Sequence, residues 1–305
     1  PDRGLELLGR SYELAVEASD HALMTRCYVN IPSTRINSGY PLAEAARLLD
    51  IGLTRARRSS AHGSIAFLAD NRSSAHWFMG EFEQAFELSA GALDSVWRAG
   101  FPDLETSAYR AQSNALFALG RYEEASQLLD RALDQETGDR QHYQWLLVSQ
   151  SWRDFSEDPN AAVARLRWPH PELQGYANAE VQLALWLARF AYRTGDVAGL
   201  QEAAEVQARH ERVGGPAHRL DQRWVAALLA GDAATLTDLA PDYDEMLYHV
   251  YAAEVLTDAA LVAMRSGNGE AELARARKAV DALGYHPLLG PLPETRWVAV
   301  AEGAA

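Results

Sequence analysis

The sequence predicts an all-α fold built from stacked helical hairpins, and three observations carry that prediction. Ala45, Ala85 and Ala125 stand 40 residues apart, each just behind a helix-breaking turn. A recurrence of this length marks an array in which each helix pair packs only on its neighbours. Apolar residues follow a helical period almost end to end, with no convincing alternation of the kind a strand requires. Glycine and proline punctuate that pattern at short intervals, as hairpins need.

Taken in order, the pattern pairs a helix near 22–37 with one near 41–57, then 61–78 with 81–98, and 103–118 with 121–134. Next come 140–156 with a short 159–167, 172–193 with 196–212, 217–229 with 232–240, and 245–265 with 268–283. In the second half the register changes: Gly195, Gly231 and Gly267 are 36 residues apart, followed by Asp196, Asp232 and Asn268. Glycine can end one helix in the left-handed conformation while the next side chain caps its successor. Pro159, Pro169 and Pro171 forbid one helix through that stretch, which puts any subdomain break within a single 1–305 array near 156–175. The segments 176–193 and 247–264 are apolar on more than one face, as expected of helices buried between neighbours. After the prolines at 287, 291 and 293, the text from Glu294 to Val300 predicts a terminal helix.

The chain has 305 residues, a formal net charge of -14 and a pI near 5.1, a balance that argues against gripping a phosphate backbone. Lys278 is the only lysine, a bias expected of a GC-rich genome. Cys27 stands alone, so no intrachain disulfide forms and nothing points to an oxidising compartment. No stretch reaches the roughly 18 apolar residues of a membrane span, and no signal-peptide pattern opens the chain. The expectation is a cytoplasmic protein, or a fragment of one given the absent initiator methionine, with no direct nucleic acid contact and no membrane.

Ala125, Leu129 and Ala132, with the phrase from Ala118 through Gly120 to Ala125, resemble the second helix and turn of a tetratricopeptide repeat. The first unit keeps Ala45, Leu49 and Gly52, and the second keeps Ala85, Ser89 and Ala92; units of 40 and 36 residues exceed that family's length. The resemblance implies a tetratricopeptide-like solenoid wound as a right-handed superhelix. Segments Gly39–Ala45, Leu119–Ala125 and Ala276–Gly284 further resemble the C-terminal repeat region of large ATP-binding LuxR-family bacterial transcription regulators. There an ATP-binding switch domain precedes the repeats and a helix-turn-helix domain follows. Neither occurs here, and a GxxxxGK[ST] phosphate loop is excluded because Lys278 follows arginine.

The resemblance places Asn30 and Asn71, each nine residues before a turn glycine, on the concave groove. An amide there suits a peptide group because it donates and accepts at once. Arg110 and Asn114, one helical turn apart, add a charge-assisted contact for a carboxylate; Arg72 and Tyr109 neighbour these positions, and Trp77 with Phe78 ends a first helix near the inner face. The plain alternative is that these polar groups hydrogen-bond between helices. Trp145, Trp152 and Phe155 form one helical stripe that reads as packing.

No constellation supports catalysis or a metal. His-Glu-x-x-His is absent, His210 and His218 flank a hairpin tip and read as solvated, and Asp242–Glu245 reads as helix-start charge without calcium-loop spacing. Gly267-Asn268-Gly269 is a turn, and no Gly-x-Ser-x-Gly elbow occurs. The functional expectation is a non-catalytic, cofactor-free regulatory module that binds a peptide, protein or small-molecule effector on its concave face, with homo-oligomer formation open. The alternatives are a stand-alone adaptor that assembles proteins and an all-helical enzyme.

Overall fold

The computed structural model describes residues 2–135, 140–173, 175–267 and 269–289. Among them every regular element is helical: α1 (Asp2–Glu17), α2 (His21–Asn37), α3 (Leu42–Arg58), α4 (His62–Phe78), α5 (Phe82–Ala99), α6 (Pro102–Ala118), α7 (Tyr122–Leu133), α8 (Arg140–Phe155), α9 (Pro159–Leu166), α10 (Ala177–Thr194), α11 (Val197–Arg209), α12 (Pro216–Ala230), α13 (Ala233–Glu245), α14 (His249–Arg265) and α15 (Glu270–Leu283). A 3-10 turn at Pro171–Leu173 joins α9 to α10. No described helix is long and apolar enough to cross a membrane. The expected terminal helix at 294–300, Trp297 and Asn268 lie outside the described residues.

The turns explain where the helices stop. Gly39, Gly80 and Gly120 have φ of 71, 77 and 73°, and the amide that follows each closes on a carbonyl five residues back: Tyr40 on Arg35, Glu81 on His76 and Arg121 on Leu116, all at 2.9 Å. In the second half the aspartates act as expected, Asp196 accepting from the Gly199 amide and Asp232 from the Thr235 amide at 3.0 Å. Helix α13 departs from the expected span. It runs through Pro241, so Asp242–Glu245 forms its last turn rather than a helix start. Arg223 lies 3.5 Å from Asp242, and the His249 ring is 2.9 Å from Asp244.

The 40-residue alanines are fully buried, where a methyl group lets adjacent helices approach closely. Their carbonyls also serve a repeated device. Ser73 of α4 donates to the Ala85 carbonyl and Ser113 of α6 to the Ala125 carbonyl, each at 2.8 Å. Ser151 of α8 does the same to Ala162 at 3.2 Å.

Each helix packs on the next, and the even-numbered helices from α2 to α14 also touch in succession, forming an inner row. That row curls back on itself, because α14 packs against α4. The turns after α2, α4 and α6 are therefore covered by the last units. Ser38 and Gly39 accept from the Gly215 and Ala217 amides at 2.5 and 2.9 Å, and Met246 accepts from the Leu42 amide at 3.1 Å. Further on, Phe82 stacks on Tyr285 with centroids 5.6 Å apart, and the His286 amide donates to the Ala118 carbonyl at 2.8 Å. The register glycines are thus contact points as well as turns. A Cβ on Gly39 would lie 3.0 Å from the His218 backbone nitrogen, and one on Gly80 2.8 Å from Leu283.

Aromatic rings fill the middle of the curl. Trp77 stacks on Trp152 at 5.8 Å, Trp152 meets Trp186 at 5.0 Å, and Tyr251 receives Phe78 and Trp224 at 5.5 and 6.1 Å. One apolar core runs from Ala15 to Leu289. Beneath it, Arg189 of α10 is fully buried between the Trp186 and Trp224 rings and pairs with both Glu254 and Asp258 of α14. Arg193 pairs with Asp258 at 2.7 Å, Trp224 donates to it at 3.1 Å, and Tyr285 donates to Glu254. This network joins α10, α12, α14 and the segment after α15.

Candidate functional site

What the aromatic plug leaves open is a funnel on the inner row. Its narrow inner part, about 40 Å³, is bounded by Ile36, Ser74, Trp77, Phe78 and Trp145; its mouth, about 130 Å³, adds Asp70, Asn71, Gln144, Tyr176 and Asn178. Asn37, Ser74, Arg110, Trp145 and Gln182 line both parts, so the space is continuous across α2, α4, α6, α8 and α10. At roughly 30 Å³ per water, the inner part takes about one water and the mouth about four. A small molecule or one peptide side chain fits; a folded partner does not.

Arg110 dominates the chemistry. It is 6% exposed, and its nearest carboxylate, Asp70 of α4, is 3.9 Å away. Asp70 is itself engaged by the Ser107 hydroxyl at 2.5 Å, while an Arg110 terminal nitrogen reaches the same hydroxyl at 3.1 Å. The Arg110 Nε has no hydrogen-bond partner. Burial holds its pKa below the usual arginine value against the opposing pull of Asp70. A buried cation with one distant counter-charge is an incompletely compensated group, and the funnel is where a compensating anion has room.

The amides around it are mostly committed. Gln144 donates to Gln182 at 2.7 Å, Asn71 to the Phe67 carbonyl at 3.1 Å, and Asn178 to Ser38 at 3.2 Å. Asn114 accepts from Ser149 at 2.7 Å, and its carbonyl accepts from the Trp77 indole at 3.2 Å. Gln144 Oε1, by contrast, is buried without a donor.

The structure brings Asn71, Trp77, Arg110 and Asn114 to this one funnel and takes the other sequence candidates elsewhere. Asn30 lies nearly two turns before Asn37 on α2, and it borders an outer groove with Phe67 and Phe101. Arg72 turns to α3, where its Nε holds Asp50 at 2.8 Å. Tyr109 is half-buried beneath the Arg131 guanidinium, 5.9 Å from its ring centre. Trp145, read from sequence as packing, does pack on the core and on Phe78 and also lines the funnel. The residues that sequence reasoning passed over are Asn37, Ser74, Gln144 and Gln182. Ser74 could have been found, since it stands one helical turn from both Asn71 and Phe78 on the same stripe.

His218 is also placed differently from expectation. Rather than solvated, it is 2% exposed, because the tip carrying it docks on the turn after α2. Burial pushes its pKa down to about 4. His210 pairs with Glu180 at 2.6 Å. Among the described residues no three His, Cys, Asp or Glu side chains come together as a metal site.

No protein-family model matches the chain, and no curated protein matches it.

Proposed function

We propose that this chain is a tetratricopeptide-like solenoid serving as the ligand-binding sensor of a cytoplasmic bacterial transcription regulator of the LuxR type. The observation that carries the ligand-binding part is the funnel with buried, undercompensated Arg110 at its centre. The regulator part rests on the resemblance of Gly39–Ala45, Leu119–Ala125 and Ala276–Gly284 to that family's repeat region. The funnel draws its walls from five inner helices, α2 to α10, while the turn after α2 docks on α12 and α13. A ligand that favours the closed curl over an opened one shifts the balance between them, and differential affinity is what makes such a switch work. The reading is of a binding module without catalysis.

Replacing Ser74 by phenylalanine fills the inner funnel with a side chain from its own wall. In a thermal-shift screen against a library of amino acids, organic acids, sugars and nucleotides, the wild-type chain is expected to gain Tm with at least one class. At a ligand concentration of about 100 Kd the gain corresponds to ~2.7 kcal/mol, and Ser74→Phe is expected to abolish it. A shift that survives Ser74→Phe unchanged places the ligand elsewhere and removes the sensor reading.

A second reading, an adaptor for protein assembly, draws on the outer groove. There Phe67 and Phe101 are 40% and 41% exposed with rings 5.5 Å apart, and Trp97 nearby is 58% exposed. Such a patch is typical of a protein-contact surface.

A further inference from the structure

We propose that the funnel ligand is a free aliphatic α-amino acid, held by its carboxylate at Arg110 and by its ammonium group at Asp70 and Gln144. The inference rests on the ligand-binding reading above and narrows it.

Three features select this chemistry. The first is charge. Among the described residues, Arg110 and Asp70 are the only charged ones lining the funnel, one of each sign, in a chain of net charge -14. A phosphate or dicarboxylate would bring two negative charges to one guanidinium and one carboxylate. A zwitterion leaves the site neutral, which is what a low-dielectric pocket tolerates.

The second is the inventory of unsatisfied atoms. The Arg110 Nε is a buried donor and Gln144 Oε1 a buried acceptor, both without partners, and both residues are more than nine-tenths buried. A neutral apolar ligand satisfies neither, and a simple carboxylate satisfies only the first. A carboxylate with an ammonium on the adjacent carbon satisfies both, and the Asp70 carboxylate adds charge-assisted attraction.

The third is size. The inner part of about 40 Å³ sets the apolar side chains of Ile36, Trp77, Phe78 and Trp145 beside Arg110, Asn37, Asn114 and Gln182, so an apolar group can sit next to the guanidinium that holds its carboxylate. A space of that size takes only the tip of an aliphatic side chain and lies far below the roughly 150 Å³ that holds a benzene ring.

The test is calorimetric titration of the full chain with L-leucine, L-leucinamide and N-acetyl-L-leucine, repeated on Arg110→Gln, Gln144→Met and Ser74→Phe. L-leucine is expected to bind, with both blocked derivatives weaker by about tenfold or more, since each loses a charge-assisted hydrogen bond. Arg110→Gln is expected to weaken L-leucine by a similar factor while leaving L-leucinamide unchanged. Gln144→Met is expected to weaken L-leucine less and to leave N-acetyl-L-leucine unaffected. The blocked ligands keep the test decisive even where a variant fails to fold. Equal binding of N-acetyl-L-leucine points to a peptide C-terminus and overturns the amino acid assignment. Equal binding of L-leucinamide overturns the role of Arg110. If neither L-leucine nor its derivatives bind while another library compound gives a Ser74-sensitive shift, the amino acid assignment falls and the sensor reading stands. If no compound gives a Ser74-sensitive shift, both fall.

Discussion

Arg189→Met is expected to cost the fold about 3–5 kcal/mol, the range for removing one partner of a buried ion pair. The substitution preserves length and apolar volume between the Trp186 and Trp224 rings but leaves Glu254 and Asp258 facing Arg193 alone. Burial works against the charge on Glu254, yet the Arg189 and Arg193 guanidiniums hold its carboxyl below the usual range. Glu254 therefore contributes stability that is present above the unfolded carboxylate pKa and lost as pH falls through the lower folded value. Urea unfolding of wild type and variant measures the loss. The double variant Arg189→Met with Glu254→Gln is expected to recover more than half of it. It removes one charge of each sign, keeps the Arg193–Asp258 pair at 2.7 Å, and retains an acceptor for Tyr285 and the Leu288 amide. A double variant no more stable than the single one would show that packing, not charge balance, sets the cost.

Asp221→Asn is expected to act in the opposite direction and only in part of the pH range. Asp221 on α12 is 1% exposed and accepts from the Tyr243 hydroxyl at 2.7 Å. Burial pushes its pKa up to about 7, with the Tyr243 hydrogen bond opposing. The groups around it are the hydroxyls of Tyr243 on α13, Tyr248 just before α14 and Tyr251 on α14, each raised by burial and neutral below pH 10. His218, one turn earlier, is neutral down to about pH 4. A folded pKa above the unfolded value means that the native state holds a proton the unfolded chain has released. Stability from this group is full below about pH 4 and falls as pH rises to about 7, by on the order of 3–4 kcal/mol. Asparagine keeps an acceptor for Tyr243 without the titration. The difference between the two Tm-versus-pH curves is expected to be small near pH 4 and to favour the variant above pH 7. A constant difference across that window would contradict this assignment.

How much of this was legible beforehand depends on whether the signal was local. The helix pairs, the turn glycines and the Asp196 and Asp232 caps are set by neighbours within a few residues, so periodicity and turn chemistry found them. The span of α13 escaped because Pro241 lies late enough in the helix to cost one hydrogen bond without ending it. The closure of the row could not be read, since it depends on the small offsets between successive helices adding up until α14 meets α4. Closure also sorted the site candidates. Asn30 and Asn71 hold the same place in their units, but the curl centres on the C-terminal end of α2. Asn37 therefore reaches the funnel, and Asn30, roughly 10 Å up the helix at 1.5 Å per residue, does not. The burial of His218 has the same origin, as its hairpin tip is polar in sequence and covered only because the first turn returns to it.

The most direct test of the central claim, that the funnel inside the closed helical array is the ligand site, is hydrogen exchange on the full chain with and without its best-binding library compound. The expected result is slowed exchange in α4, α6, α8 and α10 and at the turn after α2, with the outer groove near Phe67 and Phe101 unchanged. Slowed exchange confined to that outer groove, or to α1 and α15, would contradict it.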